Sequence, residues 1–159
     1  MTSRKVDIRD EIYTRISLGR TNGNYVFNTF GILRTYHPYR TLEALGKEYP
    51  TGIVYVVAMA PSDASNRGRG NNSLRELPVM IVYQRAAVDS QDFGLIDDLV
   101  ELVEQLEDTC RNEVDAEGFS WTRLEYLRDE NELPFAFMGM REGNVFEAYF
   151  TAYYNFALE

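Results

Sequence analysis

The chain has 159 residues, of which 45% are hydrophobic and 26% charged, an ordinary composition for one soluble domain with a core. Its net charge of −9 disfavours a nucleic-acid-binding surface and docking on an anionic membrane, because both need an excess of Lys and Arg. The single cysteine, Cys110, excludes an intrachain disulfide and favours a reducing compartment. With no signal-peptide core and no apolar run near ~18 residues, we expect a protein that is cytosolic or released by cell lysis.

The first third of the chain predicts a helix and then less regular structure. Three isoleucines spaced four apart predict a short amphipathic helix that is capped by Asp7 and ends near Gly19. These isoleucines are Ile8, Ile12 and Ile16. Residues 20–24 predict a turn, residues 25–36 a strand or an irregular extended segment, and residues 41–49 one or two helical turns.

Two strongly apolar runs predict strands that pair as an antiparallel hairpin. Residues 53–60 are nearly all apolar, which suits a strand covered on both faces. Residues 79–85, led by Pro78, predict the second strand. Between them, residues 61–75 are rich in Ser, Asn, Gly and Arg without apolar periodicity, so we expect a long mobile loop at the hairpin tip.

Residues 93–110 give the clearest helix signal, and either Ser90 or Asp92 can cap the helix. Apolar residues recur there every three or four positions, and acidic residues fill the opposite side. The apolar positions are Phe93, Ile96, Leu99, Val100, Val103, Leu106 and Cys110. The pattern predicts an amphipathic helix with an acidic outer face.

The C-terminal residues 145–158 alternate with a period of two, which is typical of a half-buried strand. Its apolar face consists of Phe146, Ala148, Phe150, Ala152, Tyr154, Phe156 and Leu158. The opposite face is amphipathic and carries Tyr149 and Tyr153. Residues 121–127 and 133–141 predict two further strands.

The order of these elements predicts an α+β fold in a single domain spanning residues 1–159. We expect a mostly antiparallel sheet with two helices packed on one face and a long loop in a strand hairpin. The helix of residues 93–110 would lie across the apolar face of the C-terminal strand.

Motifs for catalysis, metal binding or cofactor binding are absent from the sequence. His37 and Cys110 are the only residues of their kinds, so no pair has metal-ligand spacing. His37 could act as a catalytic base, but the sequence has no GxSxG nucleophile elbow to accompany it. A calcium site in one of the acidic runs is conceivable, but the EF-hand pattern is absent. We therefore predict no catalytic residue, no metal and no cofactor.

Four residues are candidates for a protein interface. The tetrad RGRG at residues 67–70 lacks the Lys-Ser/Thr ending of a phosphate loop. It fits a flexible loop, a weak nucleic-acid contact, or a loop ordered by a partner, and a basic tip suits the acidic surface of a neighbouring subunit. Tyr149 and Tyr153 either contact a partner or are covered by the same domain. The interface candidates are therefore Arg67, Arg69, Tyr149 and Tyr153.

A recognisable order of elements runs through residues 5–158. An N-terminal helix precedes a Pro-led strand at 49–56, and a long variable loop leads to a second strand at 77–82. An acidic amphipathic helix then spans 89–106, and the chain closes on an aromatic run at 146–156. This architecture resembles the tail-terminator proteins of long-tailed bacteriophages, also called tail-completion or head–tail joining proteins.

The resemblance implies a structural virion protein without enzymatic activity. Its α+β subunits would form a homo-oligomeric, hexameric ring that caps the tail tube, ends tube polymerisation and joins the tail to the head connector or neck protein. A contractile tail would add the sheath protein as a partner, and DNA would pass the lumen without specific binding. The protein would reside in the tail or neck of the virion, and in the host cytoplasm during assembly.

Two alternatives stay open from the sequence. One is another adaptor of a phage neck or tail, such as a head-completion or sheath-end protein. The other is a small soluble enzyme or ligand-binding domain with a pocket near His37 and the strand aromatics.

Overall fold

Within the described residues, one helix precedes three strands and a second helix precedes two more, an α+β order. The computed structural model describes residues 4–36, 47–58, 74–89, 91–126 and 145–157. The elements are α1 (Arg4–Thr21), β1 (Gly31–Thr35), β2 (Ile53–Ala58), β3 (Leu74–Arg85), α2 (Phe93–Asp108), β4 (Phe119–Tyr126) and β5 (Phe146–Ala157). A π-helical turn (Thr109–Glu113) follows α2 directly.

The five strands form one sheet in the order β1-β2-β3-β5-β4. β1 runs parallel to β2, and the other three pairs are antiparallel. β3 and β5 are each twelve residues long and pair along their whole length, from Leu74↔Ala157 to Arg85↔Phe146. The predicted α+β fold with a mostly antiparallel sheet is therefore confirmed, and so is the antiparallel pairing of the two apolar strands.

Two apolar clusters lie on the sheet, and alternate residues of β2 divide between them. Val54 and Val56 belong to the large cluster, whereas Ile53, Tyr55 and Val57 belong to the small one. The buried residues of the small cluster are Ile53, Tyr55, Val57, Val82 and Val145. Since side chains alternate across a strand, β2 is covered on both faces, as its uninterrupted apolar run predicts.

The large cluster joins both helices to the sheet. Its buried members are Ile8, Ile12, Ile16, Tyr25, Phe30, Ile32, Val54, Val56, Val79, Ile81, Tyr83, Val88, Ile96, Leu99, Leu102, Val103, Leu106, Cys110, Phe146, Ala148, Phe150, Ala152 and Tyr154. The three isoleucines of α1 are fully buried, which confirms the predicted stripe, and each contributes roughly 1.5–3 kcal/mol by burial. That both helices lie on one face of the sheet stays a prediction.

The ends of α1 differ from those predicted. The helix begins at Arg4, so Asp7 lies in its first turn and is not its cap. It continues past Gly19 to Thr21 because the glycine serves packing rather than termination. A Cβ atom on Gly19 would lie 2.8 Å from the Tyr25 hydroxyl oxygen, so only glycine lets this tyrosine lie against the helix.

The N-terminus of α2 is capped as predicted, but its buried stripe is rotated. The Asp92 carboxylate accepts a hydrogen bond from the Leu95 N–H at 3.1 Å. Phe93 is 67% exposed, contrary to prediction, because it lies about 120° around the helix from Leu99 in the buried stripe. Leu102 and Glu107 are buried although the apolar pattern did not include them.

Some boundaries shift, and several predictions lie outside the described residues. β3 begins at Leu74, so the predicted loop overlaps the strand at its last two residues, and β4 begins two residues before the predicted strand. β1 occupies only part of the uncertain segment at 25–36. The predictions outside the described residues concern His37, helical turns at 41–46, the loop at 61–73 with Arg67 and Arg69, Ser90, the strand at 133–141 and Leu158.

Candidate functional site

The two faces of β5 have different surroundings, beginning with a closed apolar face. Phe146, Ala148, Phe150, Ala152 and Tyr154 belong to the large cluster, which confirms the predicted apolar face over these positions. The Tyr154 hydroxyl donates a buried hydrogen bond of 2.7 Å to the Cys110 carbonyl oxygen. Its ring meets Trp121 edge-on, with 5.6 Å between the ring centroids. Burial raises the pKa of Tyr154 and raises the pKa of the Cys110 thiol to about 12.

The opposite face of β5 carries the two tyrosines predicted for an interface. Tyr149 is half-buried and packs against the small cluster. Tyr153 is also half-buried, and the Arg123 guanidinium carbon lies 3.8 Å from its ring centroid. Both tyrosines therefore contact other residues of their own domain, and their role in a protein interface stays a prediction.

Arg123 organises a charged cluster across three strands, here called the arginine cluster, which consists of Arg123, Glu76, Glu125 and Tyr153. Its guanidinium donates to the Glu125 carboxylate at 2.8 Å and to the Glu76 carboxylate at 2.9 Å. The hydrogen bond from Arg123 lowers the pKa of Glu125, while burial and then the Glu125 charge raise the pKa of Tyr153. The cluster thus links β3 and β4 across β5 on an exposed surface.

β4 forms one edge of the sheet within the described residues, and β1 forms the other. In β4, Ser120, Arg123 and Glu125 are exposed, and a shift in register lies between Trp121 and Arg123. Charged side chains and bulges commonly limit uncontrolled pairing at such edges. An edge of this kind can nevertheless accept a strand of a specific partner.

The outer face of α2 is acidic, as predicted. Its exposed carboxylates are those of Asp97, Asp98, Glu101, Glu104 and Asp108. Nearby negative charges of this kind repel phosphate groups and attract cationic groups of a partner.

A polar pocket of about 270 Å³ lies where the C-terminal ends of α1 and α2 meet. Arg15 and Leu18 of α1 line it, together with Gln105 and Asp108 of α2 and Glu113 of the π-helical turn. Tyr25 and Thr109 also border it, and their hydroxyls share a buried hydrogen bond of 2.7 Å.

The loop after α1 is fixed to α2 by hydrogen bonds, so the pocket walls are held from both sides. The Val26 N–H donates to the Gln105 side-chain oxygen at 2.8 Å. Burial raises the pKa of the Tyr25 hydroxyl to about 12. Because the Thr109 hydroxyl donates to the Gln105 backbone carbonyl oxygen at 3.0 Å, the Tyr25 hydroxyl can donate to Thr109. Sequence reasoning missed this pocket because its two walls come from distant parts of the chain; Tyr25 and Thr109 are separated by 84 positions.

Within the described ranges, the structure holds no group of three or more His, Cys, Asp or Glu side chains placed to bind a metal ion. None of the helices in the same ranges is long and apolar enough to cross a membrane.

Comparison with known proteins adds no family assignment to this geometry. No known family model matches the chain, and a search of curated proteins finds no match.

Proposed function

We propose that this chain is a structural subunit of a bacteriophage tail terminator. In this role, copies of the chain form a closed, hexameric ring on the end of the tail tube and stop its polymerisation. The ring then offers a surface to the head connector or neck protein, and to the sheath protein if the tail is contractile. The chain acts without catalysis, in the virion and in the host cytoplasm during assembly.

The observation that carries this proposal is the order of elements around the β3–β5 pair. One helix, three strands, the acidic helix and two late strands follow one another in the described chain, an order that agrees with the resemblance to tail terminators once β1 is left aside. β2 and β3, the two strands of that pattern before the acidic helix, pair antiparallel, and the last strand, β5, lies inside the sheet between β3 and β4. The match is one of architecture and is the reason for preferring this function.

Two surfaces of the chain suit a ring. A closed ring needs two different surfaces of one subunit that meet across each contact. The edge strand β4 with the arginine cluster is one surface of mixed charge, and the acidic face of α2 is a second of uniform charge. An acidic surface turned toward the lumen would let DNA pass without adhering, because like charges repel.

Assembly with the tail tube tests this proposal directly. The purified chain, alone and mixed with the tube protein of the same genome, is measured by native mass spectrometry and negative-stain electron microscopy. We expect a ring of one stoichiometry on the tube ends and tubes that no longer lengthen. A chain that stays monomeric with tube protein present, and leaves tube growth unchanged, refutes the proposal.

The loop between β2 and β3 gives a second test. We predict that deleting residues 66–72 leaves folding nearly intact but impairs assembly, because a loop that contacts a neighbour contributes little to its own core. Circular dichroism and thermal unfolding check the fold, and tube capping checks assembly. A Gly-Ser replacement of equal length is the control for chain length, and unfolding of the deletion variant would show that the loop belongs to the core.

A further inference from the structure

The pocket between the ends of α1 and α2 is lined by two carboxylates, those of Asp108 and Glu113, and by one guanidinium, that of Arg15. Arg15 is already held by Glu11 through an ion pair of 2.8 Å. Within the described residues, the one ion pair of Asp108 is a long contact of 3.7 Å to Arg111, and the Asp108 side chain is 63% exposed. Glu113, also exposed, makes no ion pair within the described part of the chain. Among the described residues, Arg15 lies in the same pocket wall and interacts electrostatically with Glu113, but its guanidinium is hydrogen-bonded to Glu11. The carboxylates of Asp108 and Glu113 are therefore the groups of this wall that can attract a further cation.

The backbone adds to this negative potential. α1 ends at Thr21, and the helical backbone of α2 continues through the π-helical turn to Glu113, so the C-terminal ends of both helical segments lie at the pocket. The C-terminus of a helix carries a partial negative charge of roughly half an electron. The π-helical turn that follows α2 brings Glu113 into the same wall, and such turns are frequent at functional sites. Each of these features favours a cation.

The size of the pocket narrows the class of ligand. At about 270 Å³ it lies just below the ~300–1,000 Å³ range of typical small-molecule and cofactor sites. The head group of one long side chain fits this space, with room for a few bridging waters at ~30 Å³ each. Leu18, 48% exposed at the wall, offers apolar surface to the methylene stem of such a side chain.

We propose that this pocket binds an arginine side chain of a second copy of the chain, from the RGRG segment that carries Arg67 and Arg69. This inference rests on the proposed function, because it identifies a contact between neighbouring subunits of the ring. Copies with a net charge of −9 repel one another, and a basic segment meeting an acidic pocket offsets that repulsion where the subunits touch. The planar guanidinium also matches carboxylate geometry better than an ammonium does.

Peptide binding tests the pocket independently of the ring. The receptor is the full chain with Arg67→Gln and Arg69→Gln, so that its own arginines do not compete. The probe is the capped peptide NRGRGNN, residues 66–72, and the control peptide has glutamine at both arginine positions. Binding is followed by NMR shifts of the backbone amides of Tyr25 and Thr109. We expect the arginine peptide to move these signals and the glutamine peptide to leave them in place.

A matched pair of receptor variants separates the pocket from general acidity. Asp108→Asn with Glu113→Gln removes both pocket carboxylates, and Asp97→Asn with Glu101→Gln removes two exposed carboxylates elsewhere on α2. We expect the pocket pair to weaken peptide binding by about tenfold and the control pair to weaken it much less. Equal weakening by both pairs, or no binding of the peptide to the unaltered pocket, overturns the proposal.

Charge exchange tests the same contact in the ring. Arg67→Glu with Arg69→Glu, and separately Asp108→Lys with Glu113→Lys, should each reduce ring formation, and the combination of all four should restore it. If rings still form with the two arginines exchanged, and also with the two carboxylates exchanged, the arginine contact is refuted. The tail-terminator function is not affected by that result. If the chain binds the peptide but never caps a tube, arginine binding by the pocket is supported and the tail-terminator function is refuted.

Discussion

The two faces of β5 are built from similar residues but are stabilised by different forces. On one face, Phe150 and Tyr154 are almost completely buried in the large cluster. On the other, Tyr149 and Tyr153 are half-buried, and Tyr153 lies beneath an exposed guanidinium. Aromatic side chains therefore occur on both faces. The first face is buried at Phe150 and Tyr154, whereas the second is packed against the small cluster at Tyr149 and lies at the surface at Tyr153.

This difference predicts which substitutions in β5 the protein tolerates without a large loss of stability. A buried apolar face loses both transfer free energy and packing when a side chain is shortened. The arginine cluster at the Tyr153 end of the other face loses little when one ion pair is removed, since water and salt replace or screen the lost contacts. Side chains at a protein interface can be substituted without unfolding the subunit only where they contribute little to its stability. The second face of β5, at the arginine cluster, is therefore the better place for an interface.

The largest effect is expected from shortening a side chain of the buried face. Phe150→Ala should lower the free energy of unfolding by about 3–5 kcal/mol, because it opens a cavity in the large cluster. Its neighbour on the other face gives the comparison: Tyr149→Ala should cost roughly 1–2 kcal/mol, since only part of that ring is buried. Urea unfolding followed by circular dichroism measures both values. Similar losses for the two variants would show that the faces do not differ in this way.

A smaller effect is expected from removing one hydroxyl. Tyr154→Phe leaves the buried Cys110 carbonyl oxygen without its 2.7 Å hydrogen bond and should cost about 1–3 kcal/mol. Tyr153→Phe removes the same atom from the exposed face and should cost less than about 1 kcal/mol. The reaction of Cys110 with a thiol reagent is a second readout, and it should quicken only in the first variant. If Tyr153→Phe proves the more costly, the comparison of the faces is wrong.

The strand itself was predictable from its sequence, whereas its environment was not. The period-two pattern of residues 145–158 identifies the apolar face because alternation is a local property of a strand. The position of β5 between β3 and β4, and the parallel pairing of β1 with β2, depend on contacts between distant segments that no local pattern encodes.

The helix ends and the pocket also depend on contacts between distant segments, which a local sequence pattern does not encode. The stripe of α1 was predicted because its spacing is regular, but Gly19 was misread as a terminator since its role depends on Tyr25 in the loop beyond. Phe93 was misplaced because it lies about 120° around the helix from Leu99, outside the buried stripe, although its spacing to Ile96 resembles that of the stripe. The pocket combines the ends of two helices and a turn, so only the fold brings its carboxylates together.

The smallest effect concerns the arginine cluster and its dependence on pH. The hydrogen bond from Arg123 lowers the pKa of Glu125 below the ordinary glutamate value of about 4.3. A carboxyl group whose pKa is lowered by folding stabilises the protein above the pKa of the unfolded state, and this contribution is lost as the pH falls through the folded value. Because both side chains are about half exposed, the contribution should stay below about 1 kcal/mol and shrink in high salt.

Glu125→Gln should therefore lower the free energy of unfolding at pH 7 and leave it nearly unchanged at acidic pH, where the wild-type carboxyl is already protonated. Glu117→Gln is the matched control, since it removes the same charge from an exposed position that has no ion pair within the described residues. Urea unfolding at a series of pH values in low and high salt measures the difference. A loss at pH 7 that persists in high salt would mean that this face is held by packing, like the buried face, and the contrast between the two sides of β5 would disappear.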